Sequence, residues 1–423
     1  MYKIDEILKN IKIPRMILVK QNFSANSVSH IPEKIKNELS RNEILSRIKP
    51  GMTIAICCGS RGIADISVVV RELVSWLKER GAYPEIIPAM GSHGGASAEG
   101  QKAVLAGLGI TEVTCGCPVV SSMDVIVSAV TPEGENVYMD RNAANADGII
   151  LVNRIKPHTD FMNCYESGLV KMAAIGLGKR AQAELCHKMG PDFLSERIEK
   201  FGKINLQNPK VLFGIGIIEN AYIQICDIKA LTPEEILIKE PKMLQEAYAV
   251  MAKVYFQNID VLIVDQIGKE ISGAGADPNI TGRFATNCIK PGTLKASKII
   301  FLDLTDHTNG NACGIGLCDI TTQRLFKKID LEMTYTNSMT TTLLGGAKIP
   351  MMMDNQRQAI KLGIYAANCR DLLNPRIVRI KNTENLNEIM ISEALIPETI
   401  SNPNTTCIGK PENIVFNENG DIF

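Results

Sequence analysis

From Met52 onward the hydrophobic pattern switches between two periods. Met52 to Cys58 is a short, mostly apolar run ending in Gly59-Ser60-Arg61-Gly62. From Asp65 to Arg80 the apolar residues Ile66, Val69, Val70, Leu73, Trp76 and Leu77 fall at helical spacing, up to Gly81. The pattern predicts a strand, a glycine loop and a helix. Pro84 to Met90 repeats it, followed by Gly91-Ser92-His93-Gly94-Gly95 and a helix from Ser97. Met123 to Val130, Gly148 to Val152 and Val211 to Ile218 read as further strands. A polar stretch from Thr232 to Pro241 reads as a domain boundary, leading into a helix from Met243 to Val254. Beyond it come strands at Ile259 to Asp265 and Lys298 to Leu304, then helices near Thr321 and Arg357.

Strands that are apolar along their length and alternate with helices imply a mostly parallel sheet covered on both faces. The expected fold class is therefore α/β, with two α/β domains and the active site in the cleft between them. The expected domains are residues 1–240, carrying the acid/base and cofactor residues, and 241–405, closing over the site. A tail, 406–423, is expected to pack back on the first domain.

Composition narrows the function classes. Lys plus Arg and Asp plus Glu both total 46, and no block of five or more basic residues occurs, which argues against nucleic acid as partner. The N-terminus is charged and no apolar run is long enough to span a bilayer, so no membrane partner is expected. Twelve scattered cysteines read as reduced thiols in the cytoplasm. A small molecule is the remaining partner class.

In open α/β sheets ligands bind beyond the carboxyl ends of the strands. Arg61, His93 and His158 each follow a predicted strand, His158 within Asn153-Arg154-Ile155-Lys156-Pro157-His158. Gln266 and Lys269 stand in the same place after Ile259 to Asp265. Gly59-Ser60-Arg61-Gly62 is a compact loop whose backbone N–H groups and Arg61 suit an anion. Lys171, in an apolar run, either snorkels along a helix or is held in a pocket. His187 lies about 24 Å from Lys171 if the intervening chain were one straight helix. Gly176 and Gly178 are where it would turn back. Read alone, His187 is a helix-surface histidine. Gly176-Leu177-Gly178-Lys179-Arg180 lacks the spacing and the hydroxyl residue of a phosphate loop. Cys115-Gly116-Cys117 has the wrong spacing for a zinc knuckle.

The ordered set Gly59-Ser60-Arg61-Gly62, Gly91-Ser92-His93-Gly94, Asn153 to His158, Glu166-Ser167-Gly168-Leu169-Val170-Lys171, His187 and Asp265-Gln266-Ile267-Gly268-Lys269 resembles the nickel-dependent lactate racemases. That resemblance implies a racemase or epimerase of a 2-hydroxy acid, using a nickel-pincer nucleotide by reversible hydride transfer. It implies that Lys171 tethers the cofactor, with Gly59 and Ser60 beside it, and that His187 coordinates nickel. His93 and His158 would be the two acid/base residues. Arg61, Gln266 and Lys269 would surround the substrate carboxylate. Dedicated cofactor-biosynthesis enzymes become implied partners. Ser167-Gly168-Leu169-Val170 differs from the segment preceding the lysine in the lactate enzymes, which points to a substrate other than lactate. Two alternatives remain open: another metal-assisted isomerase or lyase of hydroxy acids, and a non-catalytic binder of organic acids or nucleotides.

Overall fold

The computed structural model describes residues 3–60 and 62–423. Its strands, in chain order, are β1 (Met16–Gln21), β2 (Thr53–Cys58), β3 (Tyr83–Pro88), β4 (Val125–Val130), β5 (Asn136–Asp140), β6 (Gly148–Arg154), β7 (Val211–Glu219) and β8 (Ile225–Leu231). They continue as β9 (Asn258–Ile267), β10 (Lys295–Leu304), β11 (Ile320–Thr322), β12 (Met351–Met353), β13 (Ile377–Ile380), β14 (Glu388–Ser392) and β15 (Thr405–Glu412). The chain divides into two compact units, one of residues 25–251 and one of residues up to Ser24 together with Ala252–Phe423.

The 25–251 unit is built on a five-stranded sheet ordered β3-β2-β6-β7-β8. The first four strands are parallel and β8 runs antiparallel to β7. Side chains alternate across it as a strand period of two requires. Ile54, Ile56, Ile150 and Val152 enter one core layer with Val69, Val70 and Leu73 of helix Ile66–Glu79. Ala55, Cys57, Ile149 and Leu151 enter the other, with Leu169, Val170, Ile236 and Met243. Each fully buried aliphatic chain contributes about 1.5–3 kcal/mol, so both faces are strongly held. The loops after β2 and β6 leave toward opposite sides of the sheet, which makes their carboxyl ends the switch point where such sheets bind ligands. Strand β4, expected within the alternating series, pairs instead with β5 in a separate hairpin.

The other unit carries an eight-stranded sheet ordered β12-β11-β10-β9-β13-β14-β1-β15. Strands β12 to β13 in that order are parallel, and β14, β1 and β15 add antiparallel pairings. Residues 3–24 thus sit here rather than with the segment expected as the first domain. So does the tail, in which the Arg357 N–H donates to Gly420 O at 2.9 Å and β15 pairs with β1.

The stretch Thr232 to Pro241 is not a linker. It opens one helix, Pro233–Val250, through a capping box in which Thr232 and Glu235 satisfy each other's backbone N–H groups. Pro241 lies inside that helix and cannot donate to Leu237 O, four residues back. The Tyr165 hydroxyl donates to that carbonyl at 2.6 Å and makes good the missing bond. The helix expected near Thr321 is strand β11 followed by a short helix, Gln323–Phe326, capped by Thr322. No helix of the described residues is long and apolar enough to cross a membrane.

Candidate active site

Three adjacent strand ends of the 25–251 unit supply the site. Strand β2 ends at Gly59-Ser60, β3 leads to His93, and β6 leads to His158. Arg61 lies outside the described residues. Ser60 Oγ and His93 Nδ1 are hydrogen-bonded across the first two loops. The His93 loop is fixed by its backbone: the Gln101 amide donates to Gly91 O at 2.9 Å and to His93 O at 3.2 Å. Gly91 has φ +63°, and a Cβ there would stand 2.8 Å from Ile175 Cγ2, so glycine is required on both counts. Gly59 is equally constrained, because its Cβ would fall 2.8 Å from Asn153 Oδ1. Asn153 in turn donates to Gly168 O at 2.9 Å, linking the β2 loop to the segment that carries Lys171.

His158 is buried and held at several points. Its N–H donates to Glu166 Oε2 at 2.6 Å, and its Nδ1 accepts from the Asp160 N–H at 3.1 Å. Its ring stacks on Phe161 with centroids 4.1 Å apart. The remaining nitrogen, Nε2, is hydrogen-bonded to Lys171 Nζ. Glu166, itself buried, also accepts from the Tyr248 hydroxyl at 2.9 Å.

Lys171 closes a single helical turn, Leu169–Lys171, which passes into a π-helical turn over Met172–Gly176. The first N–H groups of that turn, from Leu169 and Val170, donate to Glu240 Oε2 at 2.9 and 3.1 Å. Gly168 must lack a side chain there, since a Cβ would lie 2.2 Å from Glu240 Oε1. Burial raises the Glu240 carboxyl to about 8, against the pull of the two N–H groups.

Beyond the π turn the chain re-enters helix at Lys179–His187. The break does turn it back: His187 comes within electrostatic reach of Lys171. Burial, reinforced by the Lys171 charge, lowers the His187 imidazole to about 4. At neutral pH it is an uncharged ring with an available nitrogen lone pair. Among the described residues no group of three or more His, Cys, Asp or Glu side chains is arranged to hold a metal ion.

The structure therefore brings together Ser60 with His93, and His158 with Lys171 and His187. Gln266 and Lys269 lie in the other unit. Gln266 is the penultimate residue of β9, where its N–H donates to Lys381 O at 2.9 Å, and Lys269 Nζ donates to Gly273 O at 2.6 Å. Asp265 beside them is paired with Arg379 through two bonds of 2.7 and 2.9 Å. Glu166, Glu240 and Gln101 are functional supports that the sequence reading missed. The capping box at Thr232 was the one local signal that could have placed Glu240 on a helix.

Residues 8–197 match the family model described as the lactate racemase N-terminal domain. Among solved structures, the lactate racemase apoprotein from Thermoanaerobacterium thermosaccharolyticum is similar at 15% identity with a TM-score of 0.48, over 92% of this chain and 96% of that one. No curated protein sequence matches the chain.

Proposed function

We propose that the chain is a racemase or epimerase of a 2-hydroxy acid that works with a nickel-pincer nucleotide. The observation that carries this reading is the hydrogen bond between His158 and Lys171, with His187 brought within electrostatic reach of that lysine. The match of residues 8–197 to a lactate racemase domain supports it from a separate direction. An organic-acid binder needs an anion clamp but has no use for two histidines and a lysine at one strand-end cluster.

The residues present fit the cofactor. His187 is neutral over the physiological range, as a nickel-ligating imidazole must be, and Lys171 offers an amine beside it. In this reading Lys171 holds the nucleotide and His187 supplies the protein's ligand to nickel. The bound cofactor would accept and return a hydride, chemistry that no side chain provides. What remains for the protein is proton traffic and orientation.

His93 and His158 are the two bases, because enantiomers held by a common carboxylate contact present their hydroxyls on opposite sides. Ser60 orients the His93 ring through Nδ1. Asp160 and Phe161 do the same for His158 and leave Nε2 facing the site. Lys171 rests on that nitrogen, so the amine must move away before His158 exchanges a proton. A Lys171 amine engaged with the nucleotide would no longer occupy that nitrogen. Gly59 and Ser60 would line the cofactor side, and Arg61 is assigned to the substrate carboxylate.

The test uses 2-hydroxy acids carrying deuterium at C2, with protein produced alongside the cofactor-making enzymes. Internal hydride return keeps deuterium at C2 of the inverted product. Complete exchange of that deuterium with solvent protons would mean direct deprotonation and would overturn the mechanism.

A further inference from the structure

Between Lys171 and His187, midway along the segment that joins them, lies a lysine with no contact to water. Lys179 has a relative exposure of 0%, as do its neighbours Asp140 and Gln101. Its Nζ is 3.0 Å from Asp140 Oδ2 and donates to Gln101 Oε1 at 3.0 Å and to Pro88 O at 2.5 Å. The ammonium thus makes two hydrogen bonds and one ion pair, all with protein groups. The backbone adopts φ +53° at this residue, which turns the chain from the π-helical segment into helix Lys179–His187. The phosphate-loop likeness of Gly176 to Arg180 is therefore only apparent, since the ammonium faces inward onto protein oxygens.

Those partners are not scattered. Pro88 ends β3, at the start of the loop to His93. Gln101 lies on helix Ala98–Gly107, after that loop, and its other amide atom donates to Gly91 O and His93 O. Asp140 ends β5, caps the next helix through Ala143 N–H at 2.9 Å, and donates its own N–H to Leu177 O at 2.7 Å. A backbone bond runs parallel to these contacts, from Gly91 N–H to Gly176 O at 3.4 Å. One buried cation thus touches both flanks of the His93 loop and the turn that leads to His187.

We propose that Lys179, acting through Gln101, is the positioning residue that fixes the His93 loop against the segment carrying Lys171 and His187. Its bearing on catalysis rests on the racemase reading; the positioning itself does not. A buried ion pair is a poor source of net stability, because desolvating both charges offsets most of their attraction. Its use here is geometric: a point charge with two fixed hydrogen-bond acceptors and a carboxylate partner allows one arrangement of three chain segments.

The test reads the histidine rings directly. Protein labelled at its five histidines is followed by imidazole nitrogen NMR from pH 5 to 9, without cofactor, and peaks are assigned with single variants such as His93→Gln. In the wild type the Ser60 contact ties His93 Nδ1 to the loop after β2. Gln101→Met cuts the link and leaves the Lys179–Asp140 pair in place. It is expected to change the His93 ring-nitrogen shifts and to move the His93 midpoint by about 0.3 unit or more. His30 and His307 are expected to stay unchanged. The charge-balanced double variant Lys179→Met with Asp140→Asn is expected to move His93 in the same way. Should Gln101→Met fail to fold, as judged by Trp76 fluorescence, Gln101→Glu keeps the acceptor for Lys179, loses the donor to the two carbonyls, and is expected to give the same His93 change. His93 resonances that superimpose on the wild type in a folded Gln101 variant overturn the proposal. A wild type that holds no nickel would overturn the racemase reading instead and leave these NMR outcomes as they stand.

Discussion

Glu240 makes the stability of the 25–251 unit depend on pH in a specific way. Its folded-state carboxyl titrates at about 8, against 4.5 for an ordinary glutamate. A raised acid pKa means that the folded state holds a proton the unfolded chain has released, so stability falls as pH rises from 4.5 through 8. The full displacement, from 4.5 to about 8, corresponds to about 5 kcal/mol at about 1.36 kcal/mol per pH unit. Between about pH 6 and pH 9 the loss is about 3 kcal/mol. Glu240→Gln keeps an oxygen for the Leu169 and Val170 N–H groups and removes the titration. Trp76, the only tryptophan and buried in this unit, gives a fluorescence signal for urea unfolding. The wild type is expected to lose about 3 kcal/mol from pH 6 to pH 9 relative to the Glu240→Gln variant. Identical pH slopes in the two proteins would refute the assignment of the proton to this carboxyl.

Two further outcomes follow from contacts around the site. Tyr165→Phe leaves Leu237 O without its donor and should cost about 1–3 kcal/mol, whereas in a Pro241→Ala background the restored helical N–H reduces that cost; additive effects in the double variant would contradict the pairing. The His187 imidazole should stay predominantly neutral in NMR titrations between pH 5 and pH 8, consistent with its value of about 4. Lys171→Met should raise its midpoint, while burial still holds it below the ordinary 6.5. A midpoint near 6.5 in the wild type would remove the argument for a neutral metal ligand.

Strand ends were the legible part of this molecule. Glycine loops after apolar runs marked the places of Ser60, His93 and His158, and the sheet order then set β2, β3 and β6 side by side. The meeting of Lys171 with His187 was not legible from spacing, because it depends on a π-helical turn and a left-handed residue at Lys179, neither of which has a periodic signal. Prolines misled in one place. Pro233 and Pro241 suggested a linker, but the first sits at the start of a helix, where its missing N–H costs nothing, and the second is rescued by Tyr165, 76 residues earlier in the chain. Buried polar supports such as Gln101, Asp140 and Glu240 look like surface residues in a sequence. Only tertiary contacts reveal that they hold the loops around the candidate site.

The central claim is that Lys171 and His187 hold a nickel-bearing nucleotide. The most direct measurement is intact mass together with nickel content, on protein produced alongside the cofactor-making enzymes. The account predicts nickel and the cofactor's added mass on the wild type, nickel lost in His187→Ala, and the cofactor lost in Lys171→Ala. Wild-type protein without nickel or added mass, or cofactor content unchanged in Lys171→Ala, would contradict it.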